Sequence, residues 1–131
     1  MELYVVDTHA LLWFLTRNQK LSPVARQILT QAETGAVQVF IPTIVLAELA
    51  NVILKKQLPV TVHEVLNKIE QGDGFAVAPF DLDVFQTTLT LPNNWEIHDR
   101  IIAATARYYK AKLITRDEVL RNSDELETVW D

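Results

Sequence analysis

The chain has 131 residues, 49% hydrophobic and 22% charged, with a formal net charge of −5. This size and balance predict one globular domain spanning residues 1–131, and the complete lack of cysteine excludes disulfides, thiolate nucleophiles and cysteine-ligated zinc or iron–sulfur centres. The acidic balance also argues against a protein that holds nucleic acid on a broad basic surface.

The N-terminal stretch MELYVVDTHALLWFL has no positive n-region and no small-residue cleavage site, and Asp7 and His9 interrupt its apolar run. Neither a signal peptide nor a membrane anchor is expected, so the chain reads as soluble and cytoplasmic. Residues 3–6 (LYVV) predict a first strand, followed by helices over ALLWFL and from Ser22-Pro23, where proline takes a first helical position. Residues 37–41 (VQVFI) predict a second strand. The segment from Thr43 to Lys56, almost wholly apolar as far as Leu54, predicts a buried helix, and T-V-H-E from Thr61 is a capping box for another. Residues 75–80 (FAVAPF) predict a third strand, Asp81 the cap of a helix reaching about Leu91, and His98 to Tyr109 a further helix. A strand at 112–115 (KLIT), a short helix at 117–121 and a last strand at 128–130 complete the order β-α-α-β-α-α-β-α-α-β-α-β. Short apolar strands separated by helices imply parallel pairing, right-handed crossovers and a sheet covered on both faces.

Four acids occupy settings unsuited to solvated surface charge: Asp7 in YVVDTHALLWFL, Glu48 in IVLAELANVIL, Asp99 in IHDRIIAATA and Asp117 in LITRDEVL. A carboxylate in an apolar run loses hydration that hydrogen bonds, a counter-charge or an oxygen-liganded divalent cation must replace. Asp7 and Asp117 follow predicted strands, and ligands of open α/β sheets bind beyond the carboxyl ends of the strands. Taken singly, Asp7, Asp99 and Asp117 also read as helix caps, whereas Glu48 is the only charge between Val37 and Leu54. Three glycines in total cannot build a dinucleotide or Walker loop.

These segments together resemble the PIN-domain nucleases, in particular the VapC-type toxins of type II toxin–antitoxin systems. The similarity rests on DTHALLWFL, a Glu in a long apolar helix, EIHDRIIAATA and LITRD, and runs from Glu2 to Trp130. It implies a three-layer α/β/α sandwich with a parallel, roughly five-stranded central sheet, dependence on Mg²⁺ or Mn²⁺, and hydrolysis of single-stranded RNA. Asp7, Glu48, Asp99 and Asp117 fall on the family's acidic quartet as metal ligands and catalytic residues, and Thr115 and Thr8 on its hydroxyl positions. Arg100 and Arg116, each beside an acid, are candidates to meet substrate phosphate. The resemblance further implies a homodimer held inactive by a small antitoxin protein.

Two other classes fit parts of the pattern: a PIN fold retained as a catalytically silent interaction module, and a receiver-like phospho-acceptor domain built on Asp7. The His98-Asp99 pair also matches metal phosphohydrolases of the HD type, but those are wholly helical. Trp13, Phe14, Trp95, Tyr108 and Tyr109 read mainly as packing residues, with Trp95, just before Asp99, the best placed to stack on a base.

Overall fold

The structure, a computed structural model, describes residues 1–131. Five strands, β1 (Leu3–Val6), β2 (Gln38–Pro42), β3 (Phe75–Ala78), β4 (Lys112–Ile114) and β5 (Thr128–Val129), form one sheet in the order β3-β2-β1-β4-β5. Every pairing is parallel. The helices are α1 (Thr8–Leu15), α2 (Pro23–Glu33), α3 (Thr43–Lys56), α4 (Val62–Gln71), α5 (Leu82–Thr88), α6 (Ile97–Tyr109) and α7 (Glu118–Arg121), in the order the sequence predicts. No helix is long and apolar enough to cross a membrane.

Consecutive residues Val5 and Val6, and likewise Leu113 and Ile114, are wholly buried, as are Val39 and Ile41. Neighbouring strand residues point to opposite faces, so burial of both members of a pair means that helices cover both sides of the sheet. Each such side chain contributes about 1.5–3 kcal/mol of transfer free energy. Helix starts are set locally. Ser22, Thr61 and Asp81 accept the amides of Ala25, Glu64 and Val84 at 3.0, 3.1 and 3.0 Å, caps worth about 1 kcal/mol each. The buried Ser22 hydroxyl also donates to the Trp130 carbonyl, which ties the end of the chain to α2. Gly74 passes so close to the α2 end that a Cβ would lie 2.2 Å from the Val37 carbonyl oxygen and 2.6 Å from that of Ala32.

Three expectations needed adjustment. α5 stops at Thr88, because Leu89, Thr90 and Leu91 turn their amides to carbonyls three residues back and Pro92 disfavours helix at Leu91. α6 starts one residue early, at Ile97, because Glu96 caps it. α3 is buried only along Val45, Leu49 and Ile53, and Leu54 is 73% exposed. A seam at i, i+4 faces the interior, flanked by the half-buried Ile44, Leu46 and Val52.

The strand order fixes where a site can form. From β1 the chain moves outward to β2 and β3, then crosses back to β4 on the other side of β1. The connections after β1 and β4 therefore diverge, leaving a crevice at the carboxyl edge between two adjacent strands. A helix that leads into a parallel strand runs opposite to it, so the N-terminus of α6 reaches that same edge. Leu113, wholly buried in β4, supports this edge: Leu113→Ala is expected to lower unfolding free energy by about 3 kcal/mol, read from the urea midpoint at unchanged slope.

Candidate active site

Asp7 and Asp117 end their strands by capping the helices that follow. Asp7 Oδ1 accepts the Ala10 amide at 2.9 Å and Asp117 Oδ1 the Leu120 amide at 3.0 Å. Capping and membership of a site are therefore compatible, since each cap bond occupies one carboxylate oxygen. Asp99 enters from the first turn of α6. Asp7, Asp99 and Asp117 line one open cleft of about 440 Å³, together with His9, Trp13 and Arg116. Glu48, in mid-α3, stands beside them: its Oε1 accepts from the buried Thr8 hydroxyl at 2.8 Å, and its Oε2 lies 3.8 Å from His98 Nδ1. Thr115, also wholly buried, accepts the Asp117 amide at 3.1 Å.

The electrostatics show that the four acids share one neighbourhood. Burial pushes the Asp99 carboxyl up to about 6, and the charges of Asp117, Glu96, Asp7 and Glu48 all push the same way. Burial also raises Asp7. The Thr115 hydroxyl, the Ala10 amide and His9 oppose that rise, and Asp117 adds to it. None of Asp7, Asp99 and Asp117 has a cationic side chain within ion-pair distance. Yet no three Asp, Glu or His side chains stand close enough to enclose a metal ion. This donor set fits a hard divalent cation that keeps much of its water and takes one or two carboxylates directly, rather than one stripped into a cage.

Glu96 is a fifth acid that sequence reading missed. Its carboxylate accepts the amides of His98 and Asp99 at 2.8 and 3.2 Å, and its Oε1 lies 2.8 Å from His98 Nδ1. Glu is an uncommon N-cap, and with the helix expected at His98 it fell in a loop; the E-I-H-D spacing was the available signal. The bases of residues 100–121 scatter: Arg107 pairs with Glu125 at 2.7 Å, Lys112 with Glu2 at 3.5 Å and Arg121 with Asp131 at 3.8 Å. Arg100 is half-buried, its Nε without a hydrogen-bond partner, and does not line the cleft. Arg116 does. A second open depression, at the opposite sheet edge, holds Glu2, Asp124, Glu125 and Glu127 interleaved with Arg107, Lys110 and Lys112, so its acids have basic side chains among them.

Fold and cleft together define an α/β protein with a cluster of oxygen donors at the switch point of a parallel sheet. The chain belongs to the PIN domain family, whose match covers residues 4–126. Among solved structures it is similar to a toxin–antitoxin complex from Klebsiella pneumoniae, at 21% identity and TM-score 0.67 over 95% of this chain and 96% of that one. It is also similar to VapBC2 from Rickettsia felis bound to a promoter DNA fragment, at 17% identity and TM-score 0.68 over 98% and 99%. A third is VapC20 from Mycobacterium tuberculosis, a sarcin-ricin loop cleaving toxin, at 14% identity and TM-score 0.61 over 95% and 98%. Curated protein sequences give no significant match.

The raised carboxyls carry a stability consequence. A folded-state value above the unfolded one means that the native state binds the extra proton, so the stabilisation is complete below pH 3.8 and is lost as pH rises through about 6. Asp99→Asn is accordingly expected to stabilise the protein at pH 7 by about 1 kcal/mol, a figure reduced for solvent screening of a half-exposed group. Near pH 3.5 the gain is expected to vanish, which urea titrations at the two pH values check.

Proposed function

We propose that this protein is a metal-dependent endoribonuclease that hydrolyses phosphodiester bonds of single-stranded RNA, acting as the toxin of a toxin–antitoxin pair. The observation that carries this reading is the convergence of Asp7, Glu48, Asp99 and Asp117 at one sheet edge, where burial first and neighbouring carboxylates second raise Asp7 and Asp99 and no Lys or Arg forms an ion pair with any of the four. Membership of the PIN family supports it, as does structural similarity to toxins crystallised with antitoxins.

Asp7 and Asp99 would hold Mg²⁺ or Mn²⁺, with Glu48 and Asp117 as further ligands or as acceptors for its waters. When bound, such a cation lowers the pKa of a water, polarises the phosphoryl group and neutralises developing charge. The side chains arrange the rest. Thr8 fixes one Glu48 oxygen and leaves the other facing His98. The Thr115 hydroxyl anchors the Asp117 backbone, and the Asp117 cap bond holds its carboxylate in place. Water attacks phosphorus in line with the departing ribose oxygen, a carboxylate accepts the water's proton, the departing oxygen takes a proton from solvent, and the phosphodiester splits into a phosphate monoester and an alcohol. No Ser, Cys or Lys nucleophile is required.

Exposed apolar faces support the proposed partners. Leu82, Phe85 and Leu89 lie along one face of α5 and are 68%, 46% and 70% exposed, with Phe80 just before the helix. A second copy of the chain would cover this surface. The apolar crevice between α3 and α4, lined by Leu46, Ala50 and the exposed Leu66, suits a segment of a small antitoxin.

Labelled single-stranded RNA incubated with the protein is expected to be cut with Mn²⁺ or Mg²⁺ and left intact with EDTA. Asp99→Asn and Glu48→Gln are expected to slow cleavage by at least about 100-fold. Mutant activity equal to wild type would mean that the acids are not the site. For the proposed dimer, light scattering of the double variant Leu82→Glu/Leu89→Glu should give a monomer mass where the parent gives twice that. A monomeric parent would remove α5 as a self-association face.

A further inference from the structure

We infer that Trp13, His9 and Arg116 form a subsite that holds one unpaired nucleobase beside the phosphate being cut. This inference rests on the nuclease reading and adds to it how the substrate is gripped.

The cleft lining combines two unlike sets of side chains. One is the carboxylates of Asp7, Asp99 and Asp117, and the other is Trp13, His9 and Arg116. Asp7, His9 and Trp13 follow one another along the start of α1. Asp7 caps the helix, and His9 and Trp13, four residues apart, share a face with their rings 5.6 Å apart. At 1.5 Å per residue, Trp13 stands about 9 Å along the axis from Asp7. The indole is pinned from behind by the buried Trp130, edge-on at 6.1 Å and 62°. Its orientation is thus set by the core before any ligand arrives, which limits the entropy lost on stacking.

Arg116 places its guanidinium carbon 5.6 Å from the Trp13 ring centroid, and Lys20 adds a second cation at 5.8 Å. Arg116 is exposed and makes no ion pair, although Asp117 follows it in sequence and the chain carries an excess of acids. An aromatic ring in contact with a guanidinium that makes no ion pair, next to a cluster of carboxylates, has the chemistry of a nucleotide grip. The base stacks on the ring-and-guanidinium platform, and the positive charge faces the phosphate. Trp95, the sequence-based candidate, packs against the hydrophobic core as Trp13 does, but is absent from the cleft lining.

The test measures binding without cleavage. Fluorescence anisotropy of a labelled short single-stranded RNA is recorded in Mg²⁺ with Asp99→Asn protein, then repeated with RNAs lacking one base at each position in turn. Removal of one particular base is expected to weaken binding about ten-fold. Adding Trp13→Leu should weaken intact RNA by a similar factor and abolish the penalty for that missing base, whereas Trp13→Phe should retain most of it. Arg116→Met, at an exposed position, should flatten the dependence of log affinity on log salt by about 0.7. Equal weakening of intact and base-free RNA by Trp13→Leu, or no base-specific penalty in a protein that does cut RNA, overturns the subsite alone. Absence of both cleavage by the wild type and RNA binding by any variant overturns the nuclease reading and the subsite with it.

Discussion

The constraint on which the rest of the structure depends is the forced proximity of like charges at the carboxyl edge of β1 and β4. Asp7 and Asp117 extend from strands whose inner residues are wholly buried, and Asp99 arrives on a helix whose next turns, Ile101 to Ala106, are buried as well. The carboxylates cannot separate without unpacking Val5, Val6, Leu113 and Ile114. Each of those side chains contributes about 1.5–3 kcal/mol. The hydrophobic core thus holds the carboxylates together in a partly desolvated cluster, the feature on which the proposed cation site rests.

Local hydrogen bonds turn this proximity into geometry. Helix capping fixes the orientation of the acids: Asp7 caps α1, Asp117 caps α7, and Glu96 caps α6 so that Asp99 sits in a defined first turn. The Thr8–Glu48 bond crosses from α1 to α3 over 40 residues of sequence and holds Glu48, the one acid of the four that does not line the cleft, within reach of Asp99's field. Stability and site geometry therefore draw on the same bonds.

The periodic signals in the chain were strong enough to place every strand and helix in order, because short apolar runs and capping residues act over a few neighbours. Ser22, Thr61 and Asp81 cap the helices their positions announced. Boundaries moved where a local competitor intervened, as with the tight turns after Thr88, or where the cap was an uncommon type, as with Glu96. The burial of α3 was overestimated because composition reports how apolar a helix is, while the neighbours it packs against decide which side is covered.

The residues and their spacing determined an alternating α/β chain with a parallel sheet, four acids in unsolvated settings and no material for a cysteine or glycine-loop site. Periodicity and desolvation are properties of short segments, so they survive without knowledge of the fold. Only the tertiary structure decided that β1 and β4 are neighbours, that Arg116 alone of the bases between 100 and 121 reaches the cleft, and that Trp13 rather than Trp95 lines it. Strand order and helix rotation depend on contacts between residues far apart in the chain, and no local pattern encodes which of several exposed aromatics or bases those contacts will turn toward the acids.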